Sequence, residues 1–169
     1  MSEVIYKPFD IKTFAISDRK TFDFNVENAP NWTKGKDNRI GYAAEELTIV
    51  YLETLWGVEL TRIDESNEEV RGKGDFIAEH LIYEMKCSAI QRKPHTYSIA
   101  FDVPETDKQK QFFEEKDFLV CSYFNPETYE IIIWDIITMA VFNKYKSKKI
   151  RGDTGKWFWV WERNINYED

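Results

Sequence analysis

Cysteine is scarce in this chain, two in 169 residues, and histidine equally so. Two cysteines cannot build a disulfide framework, and both Cys87 and Cys121 stand in apolar runs, where a free thiol acts as a small core residue and points to a reducing compartment. His80 and His95 lack the spacing of zinc ligands and read as surface residues. Long hydrophobic runs are missing too: Ile131-Ile132-Ile133-Trp134 is broken by Asp135, far short of the ~20 apolar residues of a membrane span. No charged-then-apolar leader opens the chain. The expectation is a soluble, cytoplasmic protein with no membrane partner. Repeats and low-complexity segments are absent, which excludes solenoids. No G-x-x-x-x-G-K-[ST] loop occurs, so any ATP-driven motor is another chain.

Apolar residues, by contrast, are plentiful at 43%, with 16% aromatic. A chain of this length then buries roughly 68–70% of its unfolded surface, which excludes wholesale disorder and suits one domain. Three stretches divide it: an extension over 1–36, a core over 37–140, and a basic, Trp-rich segment over 141–169 that completes the domain. The net charge of −7 is unevenly spread. Between 141 and 163 stand Lys144, Lys146, Lys148, Lys149, Arg151, Lys156 and Arg163 against Asp153 and Glu162, so this segment carries +5 and the remainder −12. The total argues against promiscuous nucleic-acid binding, while the basic segment beside Trp157, Trp159 and Trp161 has the composition of a phosphate-contacting surface. Its competing reading is a solvated basic loop leading into an edge strand.

The residues before 37 read as a strand or two plus connections, on the alternation Thr21-Phe22-Asp23-Phe24-Asn25-Val26. A helix is expected from Asp37 or Asn38, either as N-cap, to Trp56, with Gly57 at C′. Strands are expected over 58–63, 75–78 and 81–88, with a further one over 97–103. Pro104 opens a polar helix over 105–116 that buries Phe112 and Phe113. Strands over 118–123, 129–133 and 156–161 complete the pattern, the first two joined by the turn Asn125-Pro126-Glu127-Thr128. The fold class is α/β or α+β, a mixed central sheet flanked by helices.

Asp75, Glu84 and Lys86 carry the chemistry. An acidic residue, any residue, then Lys occurs four times (Asp10–Lys12, Asp18–Lys20, Glu84–Lys86, Glu114–Lys116) and means nothing alone. Only Glu84-Met85-Lys86 lies in an apolar run of strand character, where Glu84 and Lys86 share a face. A turn centred on Glu79-His80 pairs Ala78 with Leu81, Ile77 with Ile82, Phe76 with Tyr83 and Asp75 with Glu84. Two carboxylates then meet with Cβ atoms about 4.5–5.5 Å apart. Their repulsion needs compensation. A divalent cation supplies it, and oxygen-only ligands favour Mg²⁺ or Mn²⁺ over zinc. The opposite face (Phe76, Ala78, Leu81, Tyr83, Met85, Cys87) is apolar and packs on the core. The competing reading is a structural ion-pair cluster on a solvated sheet face.

Gly74-Asp75, then Glu84-Met85-Lys86 on the next strand, preceded by a helix with Gly41-Tyr42-Ala43-Ala44-Glu45, resembles the PD-(D/E)XK nuclease superfamily of restriction endonucleases and junction resolvases. The resemblance covers about 38–135 and implies a restriction endonuclease-like αβββαβ core. Gly74 stands where the family often has Pro. By the same analogy the helix supplies one more carboxylate. Glu45 shares a stripe with Gly41, Ile49, Leu52 and Trp56, whereas Glu46 shares a side with Tyr42 and Glu53; Glu45 is favoured and Glu46 is the alternative.

The implied activity is a metal-dependent DNA endonuclease. Asp75, Glu84 and the Met85 carbonyl would hold Mg²⁺, with Mn²⁺ as substitute, to polarise the phosphate and acidify a water. Lys86 would orient or deprotonate that water, and Glu45 would hold a second metal or its water. Arg92, Lys93, Lys144, Lys146, Lys148, Lys149 and Arg151 are the candidate contacts to duplex or branched DNA, and two copies would pair as a homodimer to cut both strands. The alternatives are a catalytically inactive nuclease-fold module acting as accessory subunit and, less favoured, an RNA nuclease on the same scaffold.

Overall fold

A computed structural model describes residues 4–29, 35–63, 76–89, 91 and 93–165. The N-terminal stretch adds one strand, β1 (Lys12–Ala15), and then a helix, α1 (Arg19–Glu27), where alternation had suggested a strand. The cause is Asp18: its carboxylate accepts from the Thr21 N–H (3.0 Å) and hydroxyl (2.7 Å) and so caps a helix. At helical spacing Phe22 is buried and Phe24 is left exposed, 63% accessible.

The long helix α2 (Lys36–Trp56) ends as expected, with Gly57 in the left-handed region (φ 66°) donating to the Glu53 carbonyl. Its start differs. Gly35 is the N-cap, and no side chain caps the helix, so neither Asp37 nor Asn38 fills that position. The helix buries Ala43, Ala44, Ile49 and Leu52. Thr48, also buried, returns its hydroxyl to the Ala44 carbonyl at 2.7 Å.

After α2 come β2 (Thr61–Arg62), β3 (Phe76–Ala78), β4 (Leu81–Ser88), β5 (Thr96–Asp102), α3 (Asp107–Glu114), β6 (Phe118–Asn125) and β7 (Glu130–Thr138). The β3–β4 hairpin has the expected register, Ala78 opposite Leu81, Ile77 opposite Ile82 and Phe76 opposite Tyr83. Glu79 and His80 both take positive φ (50° and 72°), the signature of a tight primed turn. The next pair, Asp75 with Glu84, falls outside the described residues, as does Gly74.

Six strands form a mixed sheet in the order β1-β7-β6-β4-β3-β2, with β4 and β6 parallel and every other pair antiparallel. One face packs on α2 through Phe76, Tyr83, Met85, Ile49 and Leu52. Fully burying Phe76 and Met85 contributes about 2–3 kcal/mol each. Within that face Leu81 departs from the expected burial at 37% accessible, because it lies at the hairpin tip. The other face carries Leu119, Cys121 and Tyr123 into a second core with Phe113, Phe142 and Trp161. The Phe112 side chain is outside the described set.

Over its described residues, 141–165, the basic segment contains the end of a helix and two strands joined by a turn. It holds α4 (Met139–Tyr145), capped by Thr138, then β8 (Ser147–Ile150) and β9 (Trp157–Asn164). With β5 these make a second antiparallel sheet, order β5-β9-β8. A bulge in β7 opposite Cys121 and Ser122 shifts the alternation by one residue. Trp134 and Asp135 therefore both reach the second core, where Asp135 accepts from Tyr6 Oη (2.6 Å), Trp161 Nε1 (2.9 Å) and the Phe9 N–H (3.2 Å). Among the described residues no helix is long and apolar enough to cross a membrane.

Candidate active site on strand β4

Strand alternation on β4 sends Tyr83 and Met85 toward α2 and Glu84 and Lys86 to the other face. Glu84 is half-buried, and its Oε2 pairs with Lys116 Nζ at 2.8 Å. Lys116 is itself buried, its side chain only 8% accessible, with its ammonium 5.3 Å from the Phe113 ring centroid. The sequence reading missed this lysine. Its signal was present in the Glu114–Lys116 doublet, but no sequence rule told that the residue after α3 would fold over Glu84.

Lys86 has a different environment. Its ammonium lies 5.1 Å from the Phe101 ring centroid, and among the described residues no carboxylate comes within ion-pairing distance of it. The residue lines a cleft of about 760 Å³ between the C-terminal end of β4 and the outer face of the β5-β9-β8 sheet. Lys93, Lys149 and Arg151 share that cleft with Asp153 and Glu162. These outer cations are partly neutralised: Lys149 and Lys93 approach Glu162 at 3.2 and 3.9 Å, and Arg151 approaches Asp102 at 3.3 Å.

The described basic candidates Lys144, Lys146 and Lys148 lie elsewhere, Lys148 by the alternation of β8 and Lys144 and Lys146 at the end of α4. Lys148 faces away from the cleft over the Trp157 ring (5.0 Å), and Lys146 lies over Trp159 (4.4 Å), where burial lowers its pKa. Lys144 donates to the Val4 carbonyl at 3.0 Å. Arg92 falls outside the described residues.

No family model, curated protein or solved structure matches this chain.

Glu45 approaches β4 from the opposite side. It lies on α2, which packs on the Tyr83 and Met85 face, and its charge joins burial in pushing the Cys87 thiol up to about 12. Burial is the larger cause, and a hydrogen bond with Ser122 opposes it. Arg62 on β2 reaches both helix candidates, Glu45 at 3.7 Å and Glu46 at 3.4 Å, and stacks 4.7 Å from the Tyr42 ring centroid. Glu45 is the more buried of the two, with 19% of its side chain accessible against 48%. Burial, with the charge of Glu46 next, raises the Tyr42 pKa.

The oxygen donors suit a hard cation in type. The Ile82 carbonyl accepts from the Asp117 N–H and the Ile82 N–H donates to the Asp117 carboxylate, on the β6 side, so by alternation the Met85 carbonyl turns to the β3 side. Among the described residues the donors amount to that carbonyl and Glu84, whose carboxylate Lys116 already engages. No group of three metal-ligating side chains gathers among those residues. Completing the set rests on Asp75, outside the described part.

Proposed function

We propose that this chain is a divalent-metal-dependent nuclease that hydrolyses DNA phosphodiesters, of the PD-(D/E)XK type its sequence resembles. The observation that carries the reading is Lys86, an ammonium without a carboxylate partner among the described residues, on the face of β4 shared with Glu84 and on the wall of a cleft with further cations. A half-buried ammonium in that setting favours an anion beside it, and a phosphate with flanking phosphates along Lys93, Lys149 and Arg151 meets that need. The order α2, β2, β3, β4, α3, β6, with β5 inserted before α3, supports the αβββαβ core that the resemblance implies.

Glu84, the Met85 carbonyl and Asp75 would hold Mg²⁺ or Mn²⁺, which when bound supplies charge neutralisation at the phosphate and acidifies a water. Lys86 then orients that water and offsets charge growing on the phosphate oxygens. Lys116, paired with Glu84 at 2.8 Å, would orient that carboxylate. The apolar wall of Phe101 limits water around the Lys86 ammonium and so strengthens its pairing with an anion.

Incubation with supercoiled plasmid, linear duplex and a four-way junction, each with Mg²⁺, Mn²⁺ or EDTA, tests the proposal. Metal-dependent cutting is expected, and Asp75→Ala, Glu84→Ala and Lys86→Ala should each lower it by about 10²-fold or more with the fold intact. Parent-rate cleavage by Lys86→Ala would refute the site. The Glu84–Lys116 pair favours a second reading, a binding module whose acidic residue is committed to structure; it predicts binding in EDTA and no cutting with either metal.

A further inference from the structure

Glu84 has two lysines within reach and pairs with one. On an extended strand, residues two apart on one face are roughly 6.6–6.8 Å apart along the chain, a gap that Glu and Lys side chains span together. Glu84 nevertheless bonds Lys116 at 2.8 Å, while Lys86 turns to Phe101. Lys116 lies in the short connection between α3 and β6, and β6 runs parallel to β4 with Leu119 beside Glu84. That connection is fixed at several points. The Asp117 N–H donates to the Ile82 carbonyl (2.8 Å), its carboxylate accepts from the Ile82 N–H (2.8 Å), and its carbonyl accepts from the Met139 N–H (3.0 Å). Lys116 is thus delivered to Glu84 by backbone already pinned to the strand that carries the site.

We infer that Lys116 is a positioning residue that occupies Glu84 so that Lys86 remains available to an anion in the cleft. The inference rests on the nuclease reading of that cleft. Without Lys116, a half-buried Glu84 carboxylate would draw in another cation, and Lys86 stands two residues along on the same face. The ammonium needed by the phosphate is then held by the protein itself.

Binding of a fluorescein-labelled DNA duplex in EDTA, followed by anisotropy, tests this without any chemistry. Lys86→Met should weaken binding about tenfold, the worth of one charge-assisted contact, and Lys116→Met should weaken it by a similar factor. The double variant Lys86→Met/Lys116→Met should be no weaker than Lys86→Met alone, whereas a role through net charge gives losses that multiply. Lys116→Arg should restore parent binding. If Lys116→Met does not fold, judged by circular dichroism, Lys116→Gln, which keeps a hydrogen-bond donor to Glu84 without the charge, takes its place: weakened binding is expected, and parent-like binding overturns the inference.

Parent-like binding by folded Lys116→Met, or multiplying losses in the double variant, also overturns it while leaving the nuclease reading to the cleavage assay. Parent-like binding by Lys86→Met overturns the cleft reading and the inference together.

Discussion

Asp135 has no accessible surface, yet three donors converge on its carboxylate. Removing one of them leaves a buried acceptor short, at a cost of about 1–3 kcal/mol beyond lost packing. Trp134 makes a useful contrast, since its buried Nε1 has no hydrogen-bond partner among the described residues. Trp161→Phe should therefore lower the unfolding free energy in urea by clearly more than Trp134→Phe, although both indoles are nearly inaccessible. The two thiols offer a second measurement. Burial pushes Cys87 from 9.0 to about 12 and Cys121 well above its ordinary value, so both are neutral thiols near neutral pH. In the native protein the half-buried Cys87, on the cleft wall, should react slowly with iodoacetamide and the buried Cys121 more slowly still, both reacting fully in denaturant. A pKa raised by folding stabilises fully below the unfolded value and loses that contribution as pH rises through the folded one. Stability should accordingly fall between pH 9 and pH 12, and more shallowly in Cys87→Ala/Cys121→Ala.

At the scale of elements, the β3–β4 turn is strained by its sequence. Glu79 and His80 occupy left-handed conformations that Asn-Gly accepts more readily. Replacing the pair by Asn-Gly relieves that strain and should raise stability by about 1 kcal/mol, read as a shifted thermal midpoint. Gly57→Ala should lower it by about 1 kcal/mol through backbone strain alone, because a Cβ there meets nothing within 4 Å. Elements whose signals are local were legible: α2 with its terminal glycine, the β3–β4 register, and the shared face of Glu84 and Lys86. Elements decided by tertiary contact were not. The Phe22-Phe24-Val26 alternation gave way to an Asp18 cap. β7 runs on past 133 to Thr138 because a bulge resets its phase, letting a strand continue through Asp135. The basic segment reads in sequence as charge, tryptophans and one strand, yet its first residues belong to a helix, α4, that buries Val141 and Phe142. In the candidate site, Lys116 escaped notice because its partner is distant in sequence, and only the parallel pairing of β4 with β6 brings them together.

For the whole molecule, under the proposed nuclease reading, the acidic total of −7 would leave DNA affinity to a few cations in the cleft, so salt should expose which ones matter. Lys149→Ala should reduce the slope of log K against log salt by about 0.9 on duplex, whereas Lys148→Ala, across the strand from the cleft, should leave it nearly unchanged. Equal effects would place the nucleic acid on both faces of β8.

The junction at Asp135 also sets a clock on synthesis. Its donors Tyr6 and Phe9 precede it by 129 and 126 residues, which at ~5–20 residues per second is a wait on the order of ten seconds on the ribosome. Trp161 comes later still, and Arg163 closes the arrangement by donating to the Phe9 and Trp134 carbonyls. A nascent chain stalled before Trp161 thus holds Asp135 without that donor. Pulling force on a translational arrest sequence should therefore peak only after Trp161 and Arg163 clear the exit tunnel, and Trp161→Phe should blunt that peak.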